Sequence, residues 1–157
     1  MIMKKNILIH LCLALMASVT VQTASAQSSV GNNILIVVNA KTTTAPLTAR
    51  DVSDLYLGRT RNLPNGQSIV AVDHPSASAS RARFYKALTG KAITDINAYW
   101  ARLLFTGQSS PPQPLSDSNA VIESLKTNPG LIGYVEQSQL PNPEAMGLKV
   151  LLSIPAP

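Results

Sequence analysis

The chain is 157 residues long, with 13 Lys or Arg, 8 Asp or Glu and a formal net charge of +5 at pH 7. Apolar residues make up 45% against 13% charged, which excludes a disordered polyelectrolyte tail and fits an ordinary packed core. A chain of this length is expected to fold as one domain, with too little sequence for two lobes.

Residues 1–26 read as an export signal. Lys4 and Lys5 give a positive start, and an apolar run follows over 7–21. Ala24-Ser25-Ala26 supplies the small residues of a cleavage site. His10, Ser18 and Thr20 interrupt the run, which falls short of the roughly 20 apolar residues that span a bilayer. The expectation is cleavage after Ala26, a periplasmic location and no membrane insertion of the mature chain. Cys12, the only cysteine, lies inside this leader. The mature chain would then have no disulfide, thiolate nucleophile or cysteine metal site. Residues 27–33, rich in Ser, Gly and Asn, are expected to be a flexible lead-in to a single domain over 34–157.

The run ILIVV at 34–38 predicts a strand covered on both faces. Thr48 is placed to cap a helix, with Asp51 three residues on and Val52, Leu55 and Tyr56 facing inward; Gly58 stops it. Asn65-Gly66 marks a turn, and 68–73 (SIVAVD) is the second strand. Pro75 and Ser76 open a helix that runs to about Thr89 and closes at Gly90. A third helix starts near Thr94, placing Ile96, Trp100, Leu103 and Leu104 on one face, and ends before Gly107. Residues 109–114 hold three prolines and read as an irregular loop. A short helix follows over 116–126, with Val121, Ile122 and Leu125 inward, and strands follow over 131–135 and 148–152. Strands separated by helices predict an α/β fold with a central, mostly parallel sheet of four to five strands flanked by helices. The last strand suits either a parallel central place or an antiparallel edge.

The stretch with most chemical content is Asp73-His74-Pro75-Ser76-Ala77-Ser78-Ala79-Ser80-Arg81. Here a strand feeds a hydroxyl-rich turn and then a helix. The first amides of a helix have no internal partner and lie at its positive end, so such a junction suits an anion. His74, Ser76, Ser78, Ala79, Ser80 and Arg81 are the candidate ligand residues, Arg81 offering a charge-assisted contact. The plainer alternative makes the serines caps and first-turn residues and lets Arg81 snorkel from the core edge to water. Between Arg59 and Lys91 stand six basic residues against one acid, Asp73, which would draw anions. No aromatic-interleaved basic stripe points to nucleic acid. No ligand cluster points to a metal, and no nucleophile–base–orienter set points to an enzyme. His74 reads as a structural histidine, and Trp100 and Tyr134 as core.

Three blocks together resemble the phosphate-binding-protein branch of the type 2 periplasmic solute-binding proteins. Residues 47–59 (LTARDVSDLYLGR) are similar to that family's L-T-x-x-x-[VL]-x-x-I-[FY]-x-G-[KR] helix. His74-Pro75-Ser76-Ala77-Ser78-Ala79-Ser80, with Phe84 beyond it, is similar to R-x-D-G-S-G-T-(x3)-F. Residues 127–135 (TNPGLIGYV) are close to T-P-G-A-I-G-Y-V. The resemblance implies a periplasmic-binding-protein-like lobe in which the hydroxyls and amides of the second block hold phosphate. Ser78 and Ser80 match hydroxyl positions of that block. His74 stands at its arginine, Ser76 at its aspartate, and Ala77 and Ala79 at its glycines. A fixed positive charge and a carboxylate acceptor are thereby replaced. The resulting expectation is a non-catalytic, exported single-lobe protein binding phosphate or another small oxyanion weakly, without a cofactor. The alternative is an envelope protein-interaction module, or a homodimer, that has lost ligand binding.

Overall fold

The computed structural model describes residues 33–156. The leader expected over 1–26, and nearly all of the lead-in, lie outside them.

Among the described residues five strands and four α-helices follow one another: β1 (Asn33–Asn39), α1 (Ala49–Tyr56), β2 (Val70–Asp73), α2 (Ala79–Thr89), α3 (Ile93–Phe105), β3 (Gln113–Pro114), α4 (Ser118–Thr127), β4 (Leu131–Glu136) and β5 (Leu148–Pro155). They form one sheet in the order β3-β2-β4-β1-β5. β2 pairs parallel with both β3 and β4, while β1 is antiparallel to both β4 and β5. Four strands therefore point one way and β1 alone runs against them. The sheet is α/β in class and largely, though not wholly, parallel. The last strand takes the antiparallel edge place, with a register shift opposite Ile36 and Val37.

β1 is buried because it has a strand on either side and helices above and below. Ile34, Ile36 and Val38 face one core with Val52, Leu55 and Tyr56 of α1, Phe84 and Tyr85 of α2, and Ile96 and Trp100 of α3. Leu35 and Val37 face the other, with Val121, Ile122 and Leu125 of α4. The period of two along the strand thus divides one apolar run between two layers. Burial at roughly 25 cal/mol per Å² of apolar surface drives this three-layer packing.

The helix starts follow local chemistry. At α1 the Asp51 amide donates to Thr48 Oγ1 at 3.2 Å and the Thr48 amide donates to Asp51 Oδ2 at 2.8 Å, a reciprocal cap. The Thr48 hydroxyl, and then the Thr48 amide, donate to the Asp51 carboxylate and hold it below the ordinary aspartate value. Gly58, beyond the end of α1, has φ +69°, and a Cβ there would stand 2.8 Å from Trp100 Cη2. α2 starts later than the sequence suggests. Pro75 and Ser76 form a turn closed by the Ser78 amide donating to the Pro75 carbonyl at 2.8 Å, and Ser78 is the cap. On α3, Ile96 and Trp100 are buried, but Leu104 is 58% exposed, so the inward face is narrower than its apolar pattern.

Candidate functional site

β2 and β4 lie side by side and parallel, so their carboxyl ends bring Asp73, the 74–78 turn and Glu136 to one edge of the sheet. Asp73, His74 and Arg81 are buried at this edge, with relative exposures of 2%, 3% and 6%. The Asp73 carboxylate is the hub. Its Oδ1 accepts from the His74 amide at 2.7 Å and from the Tyr134 hydroxyl at 2.5 Å. Its Oδ2 accepts from Arg81 Nε at 2.9 Å and from the Tyr85 hydroxyl at 3.0 Å. Four donors, one of them cationic, are what a buried carboxylate needs to remain in place.

The hub ties α2, and through it α3, to the sheet. Arg81 Nη1 donates to Asn97 Oδ1 at 2.8 Å, which links α2 to α3, and the guanidinium lies 5.0 Å from the Tyr85 ring centre. The Tyr134 ring stacks on Phe84 at 3.7 Å and 11°. Burial, and then the negative charge of Asp73, push the phenols of Tyr56, Tyr85 and Tyr134 well above their ordinary value. Phenols in such surroundings stay protonated and donate. His74 turns its ring onto Tyr134, with Nε2 3.1 Å from the Tyr134 carbonyl oxygen, so that nitrogen carries the proton.

The six candidate residues thus divide. His74 and Arg81 face the interior, where Arg81 answers Asp73 and does not extend outward to an oxyanion. Ser76 and Ala79 are exposed, and Ser78 and Ser80 are half-buried. The Ser78 hydroxyl accepts from the Arg81 amide at 3.4 Å as the cap of α2. The Ser80 hydroxyl donates to Glu136 Oε1 at 2.7 Å, and Arg83 pairs with the same oxygen. The amides of Ala79 and Ser80, opening α2, have no carbonyl one turn back to bond within the helix. What the edge offers an anion is therefore backbone amides and hydroxyls, with Arg83 beside them and Glu136 opposing. Among the described residues no three His, Cys, Asp or Glu side chains converge as a metal would require.

Sequence reasoning missed two participants. Asp73 enters the sequence reading as the one acid among six bases, yet its carboxylate anchors the whole edge. Glu136 ends the Gly133-Tyr134-Val135 strand, and only the parallel pairing of β2 with β4 brings it to Ser80. That pairing was the available signal, since parallel neighbours share the edge at which both strands end.

No family model and no curated protein matches this sequence. Solved structures do. An ABC-type phosphate transport receptor from Vibrio cholerae is similar with a TM-score of 0.57 at 15% identity, covering 77% of this chain and 46% of the receptor. PstS from Borrelia burgdorferi gives a TM-score of 0.56 at 15% identity, covering 77% of this chain and 47% of that one. The chain spans about half the length of the structures it matches. At this identity the likeness is one of fold, and the chain has the architecture of a single periplasmic-binding-protein-like lobe.

Proposed function

We propose that the chain is an exported, non-catalytic lobe that binds a small oxyanion, phosphate foremost, weakly at the turn between β2 and α2. The observation that carries this reading is the placement of that turn. Ser76 and Ala79 are exposed at the start of α2, on the edge where β2 and β4 end. The fold is one it shares with structures described as a phosphate transport receptor and PstS. The ligand residues are the amides of Ala79 and Ser80 with the hydroxyls of Ser76, Ser78 and Ser80. His74 and Arg81 hold the turn from beneath.

Weakness follows from the charges. Arg81 is neutralised by Asp73 and Arg83 by Glu136, whose carboxylate also holds the Ser80 hydroxyl that would greet an incoming anion. Contacts left half in water are screened and contribute little each. The test is calorimetric titration of the protein and of Glu136→Gln with phosphate and sulfate. Millimolar binding by the parent, on the order of −4 kcal/mol, should tighten several-fold in Glu136→Gln. Absence of heat from both proteins, or equal affinity in the two, overturns the reading. The export signal is tested separately by comparing the mass of the mature chain with cleavage after Ala26.

A further inference from the structure

A groove of about 350 Å³ lies between α1 and the carboxyl end of α2. It does not belong to the β2–α2 turn. The eleven residues of α2 place roughly 16 Å between that turn and this groove. The face of α1 that forms one wall is distinct from its buried face. Arg50, Ser53 and Asp54 recur at i, i+3 and i+4, whereas Val52, Leu55 and Tyr56 point into the core; Leu57, just past the helix and itself largely buried, closes the bottom of the groove.

The charge of the groove is one-sided. Arg50, Arg59 and Lys91 line it against a single carboxylate, Asp54, which pairs with Arg59 at 3.0 Å. The other acid of α1, Asp51, turns away to Thr48, accepting from its amide and its hydroxyl. Arg50 and Lys91 enter no ion pair among the described residues. Two uncompensated cations therefore face one concavity from opposite walls, Arg50 on α1 and Lys91 just past α2. Leu57 and Leu88 supply an apolar floor between them. The volume falls within the range of small-molecule sites and exceeds what a bare oxyanion fills.

We propose that this groove is a second ligand site, for a small organic dianion whose negative charge is shared between Arg50 and Lys91 and whose short apolar body lies on Leu57 and Leu88. The chemistry is that of a phosphate monoester or a dicarboxylate. Net charge selects the sign of the ligand, and the leucines select against inorganic ions, which have no apolar surface to desolvate. The inference is independent of oxyanion binding at the turn.

The test is an amide-resolved NMR titration of the purified protein with phenyl phosphate, with benzyl alcohol and inorganic phosphate in parallel. Saturable shifts are expected at Arg50, Ser53, Leu88 and Lys91. The Arg50→Ala/Lys91→Ala double variant should weaken binding by roughly ten-fold. Both side chains are exposed and unpaired, so circular dichroism should show an unchanged fold. Binding of phenyl phosphate should survive Ser76→Ala/Ser80→Ala, which alters the turn and its bond to Glu136 but no residue lining the groove. The proposal is overturned if no shifts appear at the groove, if the Arg50/Lys91 variant binds as tightly as the parent, or if benzyl alcohol binds equally well. It is also overturned if the serine variant abolishes phenyl phosphate binding, since the ligand would then occupy the turn. A failure of the turn reading is seen separately, as absence of shifts at 76–80 with inorganic phosphate.

Discussion

Asp73→Asn removes one charge from the interior and leaves the shape almost intact. Oδ1 of Asp73 faces the His74 amide and the Tyr134 hydroxyl, and Oδ2 faces Arg81 Nε and the Tyr85 hydroxyl. Each oxygen thus meets one N–H that cannot turn away and one hydroxyl that can. An asparagine must set its own NH₂ against either the His74 N–H or the Arg81 N–H, so one fixed donor loses its acceptor whichever way the amide is flipped. The variant also leaves the Arg81 guanidinium, 6% exposed, without its counter-charge in either orientation. Breaking a buried pair in this way costs about 3–5 kcal/mol. That is a large share of the roughly 5–15 kcal/mol that holds a domain folded. Urea denaturation followed by circular dichroism should show the midpoint falling by about 2 M. Asp73→Asn/Arg81→Met, which removes both charges, should recover part of that loss, giving a coupling between the two sites. A loss below about 1 kcal/mol in the single variant, or strict additivity in the double one, would refute the claim that Asp73 anchors the edge.

Two further predictions concern the packing around that hub. Gly133→Ala in β4 would set a Cβ 2.7 Å from Val121 Cγ1 and 3.2 Å from Leu125 Cδ1, so α4 must retreat; a loss of about 1–3 kcal/mol by denaturant titration is expected, and an unchanged midpoint would contradict it. The phenols of Tyr56, Tyr85 and Tyr134 titrate above 10.0 when folded. Their contribution to stability is therefore full below the ordinary phenol value and is lost as pH rises beyond it. Denaturation curves taken at rising alkaline pH should show falling stability, with the absorbance of these tyrosinates appearing together with unfolding; ionisation of all three in a still-folded protein would refute this.

Most of the fold could be read from local pattern. Thr48 with Asp51, Gly58, Gly90 and the ILIVV run each act within a few residues, so their consequences are written where they stand. Strand direction is different in kind. β1 runs against its neighbours because of partners about a hundred residues away, and no local period records that. Two-residue β3 lies among prolines, too short to show any alternation. At the site, Arg81 shares a helical stripe with Phe84 and Leu88, and its burial was foreshadowed there. Its counter-charge lies eight residues earlier, at the end of a strand, and only the return of α2 over the sheet brings the two together. Ser80 was legible as a hydroxyl near a helix start, but its engagement with Glu136 depends on β4 arriving beside β2.

The place of β1 between β4 and β5 sets the order in which the sheet can be completed. Ile34 pairs on one side with Glu136 and on the other with Ile154. The first strand to be made is thus enclosed only by the last two. Everything between them can gain local helix early, yet the sheet closes only when residues beyond 148 are free to join it. Until then the ILIVV segment keeps one side unpaired and adhesive. A chain stalled or clipped before β5 would keep that strand half-covered and prone to pairing with its neighbours in solution.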